Sequence, residues 1–189
     1  MTNKIVAIQG NHPKKLNLIS DTTIFLAKEA QNRNYLIFYY EPKNLSIISN
    51  NVIADGYFIK FNYSKKKFFK IIKYQKLNLL KCKFILIRQD PPFNLEYIST
   101  TYILDKIKSK VKIINNPTAI RNVSEKLYSS FFYKYMPNTI FTKDLNKIKK
   151  FYKDNKKIII KPIHGYGGND IHLIKDSFKI FNFSVVCWI

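Results

Sequence analysis

Two apolar runs, Lys4 to Gln9 and Tyr35 to Tyr40, flank a segment with helical spacing. That arrangement constrains the fold more than any other feature of the chain. Each run reads as a buried strand, and Pro42 closes the second. Between them Asp21 is placed to cap a helix, and Ile24, Phe25, Leu26, Ala27 and Ala30 give that helix an apolar stripe ending near Asn34. Strand, helix and strand at this spacing form a βαβ unit, which requires parallel strands in one sheet. The expected class is α/β.

The same reading continues along the chain. Leu45 to Lys76 is harder: short strands fit around Val52–Phe61, and a lysine-rich stretch of uncertain type follows. Phe84 to Arg88 is a buried strand, Leu95 to Ile107 carries a helical pattern, and Val111 to Ile114 is a strand. The character changes near Pro117–Asn122, where a domain boundary is expected. Beyond it, Val123 to Tyr135 reads as helical, Thr139 to Thr142 as a strand, and Leu145 to Tyr152 as a helix capped by Asp144. Lys157 to Pro162 is a strand, and Ile171 to Ile174 would return beside it as a hairpin.

Composition narrows the class. The net charge of +21 invites a nucleic-acid reading, but nearly all of it is lysine, with arginine only at 33, 88 and 121. The lysines are spread along the chain and come with abundant asparagine, isoleucine, phenylalanine and tyrosine, the set that AT-biased codons produce. Runs such as Lys65–Lys67 and Lys156–Lys157 fall where solvated loops are expected. No specific nucleic-acid partner is expected. No apolar run reaches the ~18 residues of a membrane span, and the N-terminus does not read as a signal peptide. Cys82 and Cys187 lack a metal-binding spacing, which fits a reduced, cytoplasmic setting.

Four segments carry chemistry. Lys161-Pro162-Ile163-His164-Gly165-Tyr166-Gly167-Gly168 follows the strand Ile158–Ile160. Glycines allow backbone N–H groups to approach an anion, and the lysine adds a compact positive charge. The loop is neither a Walker A sequence nor a dinucleotide fingerprint. His164 and His172 nearby lack a carboxylate or cysteine partner and are a weak metal signal. Arg88-Gln89-Asp90-Pro91-Pro92-Phe93 lies at the C-terminal end of a strand, where open α/β sheets bind ligands; a rigid two-proline turn with a surface ion pair is the alternative. Asp21-Thr22-Thr23 opens a helix as an anion site or as an ordinary cap. Asn115-Asn116-Pro117 with Arg121, Asn122, Glu125 and Lys126 is either a hinge with caps or a cluster from which Lys126 reaches a phosphate.

Taken in order, these segments resemble the bacterial glutathione synthetases, of the ATP-grasp ligase family. The resemblance also takes in Glu29-Ala30-Gln31, the run Tyr97 to Leu104 and Pro137 to Thr142. It implies a parallel-sheet domain over residues 1–122 on the substrate side, followed over 123–189 by the beginning of an ATP-grasp domain. It implies ligation of γ-glutamylcysteine to glycine through an acyl phosphate, with ATP and Mg2+, and a homo-oligomeric intact enzyme. Lys126, Lys161, Gly165, Gly167 and Gly168 would bind ATP; Asp21, Arg88 and Asp90 would face the substrate.

In the family, the metal ligands follow the glycine loop, and only 21 residues follow Gly168 here. The expectation is therefore a chain truncated after the loop, without its Mg2+ ligands and inactive by itself. Its residues 123–189 would be poorly ordered or prone to aggregate, and Phe181–Ile189 would add β-prone, uncharged residues. The alternative is a non-catalytic remnant, or half of a split protein, that binds nucleotide or a partner chain.

Overall fold

The computed structural model describes residues 4–62 and 67–175, and the backbone of 185–188. It divides into two compact units, Met1–Asn122 and Val123–Ile189.

The first unit is built on β1 (Ile5–Gly10), which is buried along its whole length. Helix α1 (Thr22–Asn32) returns the chain to β2 (Leu36–Tyr40), parallel to β1. Then come β3 (Leu45–Ile48), β4 (Asn51–Phe61), β5 (Phe69–Asn78) and β6 (Phe84–Arg88). Helix α2 (Leu95–Asp105), β7 (Lys112–Ile114) and α3 (Pro117–Asn122) complete the unit. The strands run in the order β3-β4-β2-β1-β6-β7, with β5 on the other side of β4. Strands β2, β1, β6 and β7 are parallel, whereas β3, β4 and β5 pair antiparallel. The sheet is thus parallel in one half only. Phe69–Lys76 of the ambiguous lysine-rich stretch belongs to the 10-residue strand β5, whose Lys70, Lys73 and Lys76 are exposed, while residues 63–66 lie outside the described residues.

Alternation along β1 divides the core. Val6 and Ile8 pack with Ile24, Ala27, Ile37 and Tyr39 on the α1 face, while Ile5 and Ala7 pack with Phe38, Ile85, Leu104 and Ile113 on the other. Parallel strands covered on both faces are apolar at every position, which is why these runs are plain in the sequence. The stripe on α1 is narrower than the sequence suggests. Thr23, Ile24 and Ala27 are buried, but Phe25 and Leu26 are 63% and 39% exposed.

Pro117–Asn122, where the boundary is expected, is the last segment of the first unit, which ends at Asn122. It is α3, and Arg121 ties it to α2: its guanidinium donates to Thr101 Oγ1 at 3.0 Å and to Asp105, and lies 4.0 Å from the Tyr102 ring centroid. Burial would raise the Asp105 pKa, but hydrogen bonds from Arg121, Lys108 and Thr118 outweigh it and hold the carboxyl below its ordinary value.

In the second unit, the helix expected over Val123 to Tyr135 is a 3-10 helix at Leu127–Tyr135, interrupted at Phe132, rather than an α-helix. Two physical reasons apply. The segment buries no side chain, so packing does not support an α-helix. Ser129 and Ser130 also donate their hydroxyls to the carbonyls of Lys126 and Leu127, competing with the backbone. Next come β8 (Thr139–Thr142), α4 (Leu145–Asn155), β9 (Ile158–Lys161), β10 (His172–Ile174) and β11 (Val185–Trp188). Helix α4 is capped by Asp144 and packs Ile148 and Phe151 against Ile158, Ile160 and Ile174. The sheet order is β10-β9-β11-β8, with antiparallel pairing throughout. Val185–Trp188, within the β-prone stretch, therefore has a strand on each side; Phe181–Ser184 and Ile189 lie outside the described residues. No helix among the described residues is long and apolar enough to cross a membrane.

Candidate functional site

Two sets of polar residues stand out, one in each unit. The first lies at the C-terminal ends of β1 and β6. Arg88, the last residue of β6, donates from Nε to Thr23 Oγ1 at 3.1 Å and from Nη2 to Thr22 Oγ1 at 2.6 Å. Its guanidinium is thereby fixed at the start of α1, where the Asp21 carboxylate accepts from Thr23 N at 2.8 Å. Asp90 Oδ2 accepts from Asn11 Nδ2 at 2.8 Å. Asp21, Arg88 and Asp90 are thus placed around one sheet edge, with Asp21 acting as a helix cap as well.

This edge contains residues that the sequence reading did not single out. Gln9 is fully buried; its Nε2 donates to Gln89 Oε1 at 3.0 Å, and its own Oε1 has no partner among the described residues. Tyr97 donates its hydroxyl to Gln89 O at 3.4 Å. Tyr39 donates to Asn11 O at 2.7 Å, and its hydroxyl passes so close to Gly10 that a Cβ there would lie 2.5 Å from it. Burial raises the Tyr39 pKa, and the charges of Asp21, Asp90 and Glu41 raise it further. A polar residue at the end of an apolar strand was the available signal for Gln9. The edge combines a guanidinium with carboxylates, a set suited to a zwitterionic ligand: the carboxylate of the ligand to Arg88, its ammonium to Asp21 or Asp90.

The second set surrounds the glycine loop. Lys161 is the last residue of β9 and half-buried. Gly165 N donates to Pro162 O at 3.3 Å and Asn169 N to Tyr166 O at 3.1 Å, so the loop is two consecutive turns. Gly167 and Gly168 have φ of +62° and +78°, the left-handed region that glycine adopts without strain. Lys126 Nζ donates to Gly165 O at 2.5 Å across 39 residues of sequence, which brings it to the loop. Strand end, glycines and ammonium group are the elements of a phosphate cradle.

Among the described residues no three His, Cys, Asp or Glu side chains come together as a metal site. Asn115 and Asn116 belong to the entry of α3, where Asn116 Oδ1 accepts from Ala119 N at 3.1 Å. Cys82 is buried and its thiol is pushed up to about 12, so it is no nucleophile near neutral pH.

Known proteins match both units. The family described as "Prokaryotic glutathione synthetase, N-terminal domain" matches residues 5–121, and "Prokaryotic glutathione synthetase, ATP-grasp domain" matches residues 125–187. The glutathione synthetase of Agrobacterium fabrum is 34% identical over 175 residues, which is 92% of this chain and 55% of that protein. That of Buchnera aphidicola subsp. Acyrthosiphon pisum is 35% identical over 174 residues, covering 92% and 54%. The chain thus spans about half the length of the curated relatives it matches. Among solved structures, the ATP-grasp ligase PsnB with its minimal precursor aligns at a TM-score of 0.60 and 11% identity, over 98% of this chain and 62% of that one. D-alanyl-alanine synthetase A from Vibrio cholerae aligns at 0.56 and 14%, over 100% and 60%. At such identities these structures establish the fold alone.

Proposed function

Because the chain belongs to the prokaryotic glutathione synthetase family, we propose that it provides the substrate edge and the phosphate-holding lysines of an ATP-dependent ligase joining γ-glutamylcysteine to glycine. ATP supplies the phosphoryl group that turns the γ-glutamylcysteine carboxylate into an acyl phosphate, which the glycine amine attacks with loss of phosphate. The observation that carries this reading is the hydrogen bond from Lys126 to Gly165, which unites Lys126 with the loop that follows Lys161. With a nucleotide bound, Lys126 exchanges that carbonyl for a phosphate oxygen, and Lys161 holds a second one. Gly165, Gly167 and Gly168 let the backbone close on the phosphates. In the first unit, Arg88 takes a substrate carboxylate while Asp21 and Asp90 face its ammonium group.

Magnesium would neutralise the triphosphate in such an enzyme, but the described residues contain no ligand set for it, and no step is assigned to it. The same reading gives a homo-oligomeric cytoplasmic enzyme working on small molecules. Nucleotide binding by the purified chain is the direct test, because its own residues carry that step. Lys126→Met and Lys161→Met should each weaken ATP binding at least ~10-fold by titration calorimetry, about 1.4 kcal/mol. Lys143→Met, on an exposed residue, should not change it. Equal affinity in all three variants would remove the lysines from the site.

A further inference from the structure

At the end of the first sheet opposite Arg88 lies a cavity of about 470 Å3 that nothing above uses. It opens beside Leu36, where β2 begins, and is lined also by residues of the paired strands β4 and β5. Its apolar lining includes Tyr35, Leu36, Phe58 and Ile72. Leu36 and Ile72 are 46% and 62% exposed, a large apolar area to leave in water. Ile72 owes its position to the irregularity in the β4–β5 ladder, where Phe58 pairs with Lys73 and the next residue, Ile59, pairs with Ile71.

The charges here have one sign. Lys60 and Lys73 line the cavity, and none of its lining residues is acidic. Lys60 stands directly opposite Lys70 in the strand register, an arrangement that like charges disfavour. Among the described residues none of these three lysines is in an ion pair; Asp55, on the same strand, pairs with Lys76 at 3.7 Å. Lys4 Nζ lies 5.7 Å from the centroid of the Tyr35 ring, whose residue lines the cavity. Gln31 is not available to a ligand in the same way, since its side chain is engaged with both the N–H and the carbonyl of Phe61. The volume is that of a small-molecule site, and an apolar floor with a cationic rim defines the complementary ligand.

We infer that this groove is a second binding site, for a small amphipathic anion with an apolar body and one carboxylate, sulfonate or phosphate head. The body covers Leu36, Phe58 and Ile72, and the head lies between Lys60 and Lys73, relieving the opposition of Lys60 and Lys70. The site is at the opposite end of β2 from the substrate edge, so a ligand there would not compete with the substrate.

The test uses the whole 189-residue chain and the aryl sulfonate 8-anilino-1-naphthalenesulfonate as probe. Binding should saturate at one probe per chain, and decanoate should displace it at least ~10-fold better than decanol does. The double substitution Lys60→Glu/Lys73→Glu should weaken binding at least ~10-fold, whereas Lys147→Glu/Lys150→Glu on exposed positions of α4 should change it less than ~2-fold. Circular dichroism checks that each variant is folded. Ile72→Trp, which fills the groove without changing charge, should weaken the probe as well. Equal loss in both charge variants would reduce the effect to the net charge of the chain and overturn the site. So would binding of many probes per chain. Self-association of the chain that Ile72→Lys abolishes, with no saturable probe site, would assign the groove to a second copy and overturn it equally.

Discussion

The polar edge of the first unit and the glycine loop of the second secure their functional groups in opposite ways. At the edge, hydrogen bonds between side chains far apart in sequence fix each group: Arg88 to Thr22 and Thr23, Asp90 to Asn11, Gln89 to Gln9. All of them extend from the ends of packed strands and helices. Among the described residues the loop has two local turns and a long-range tie from Lys126. A rigid edge suits recognition of a small substrate, since the groups need no ordering when it binds. A loop held at one point suits closure over phosphates, since little has to be broken for it to move.

The largest test of this contrast is Gln9→Ala. It leaves a cavity and removes the partner of Gln89, at a cost of about 3 kcal/mol in urea unfolding of the first unit. Tyr166→Ala in the loop should stay within about 0.5 kcal/mol, and a cost below about 1 kcal/mol for Gln9→Ala would erase the distinction. Next comes Asp105, which secures α3 to α2. Its pKa is lowered in the folded state, so its contribution is complete above the unfolded value and is lost as pH falls through the folded one, below about 4. Asp105→Asn should cost about 2 kcal/mol at about pH 7 and flatten the acid limb of a stability–pH curve. A parallel curve for the variant would show that another group titrates there.

Asp21→Ala, which uncaps α1, should cost about 1 kcal/mol by thermal melting. Because the cap adjoins Thr22 and Thr23, it should also loosen Arg88, visible as a larger chemical-shift change at Arg88 Nε than at any residue of α4. The smallest effect on stability belongs to Lys126→Met, under about 0.5 kcal/mol. Cleavage by chymotrypsin at Tyr166 should nonetheless rise several-fold. Unchanged cleavage would mean that the Lys126 bond does not hold the loop.

Strands β1, β2, β6 and β9 were legible because each is a short apolar run, and three of them are covered on both faces of a parallel sheet. Strand β5 was not, because its lysines and apolar residues follow no strict alternation and its partner is fixed only by the fold. The helical character of Leu127–Tyr135 was legible, but not its 3-10 form, because apolar spacing is silent about serine hydroxyls that bond back to the chain. Asp21, Arg88, Asp90 and Lys161 stand beside strand or helix ends in the sequence, whereas Lys126 stands out only as part of a polar cluster and through the family resemblance. What sequence could not supply was pairing across distance: Gln9 and Gln89 are 80 positions apart, and Arg88 and Thr22 are 66. Those bonds exist only once β1 and β6 lie side by side.

The position of β11 sets an order of assembly. It lies between β8 and β9, so these two strands, although earlier in the chain, have no ladder to each other. Hydrogen-bonding groups on both must wait for Val185–Trp188 to be synthesised and inserted. The sheet of the first unit has no comparable wait, because all of its strands precede residue 115. On the ribosome the first unit can therefore be complete while β8 and β9 still each have an edge without the partner that β11 supplies.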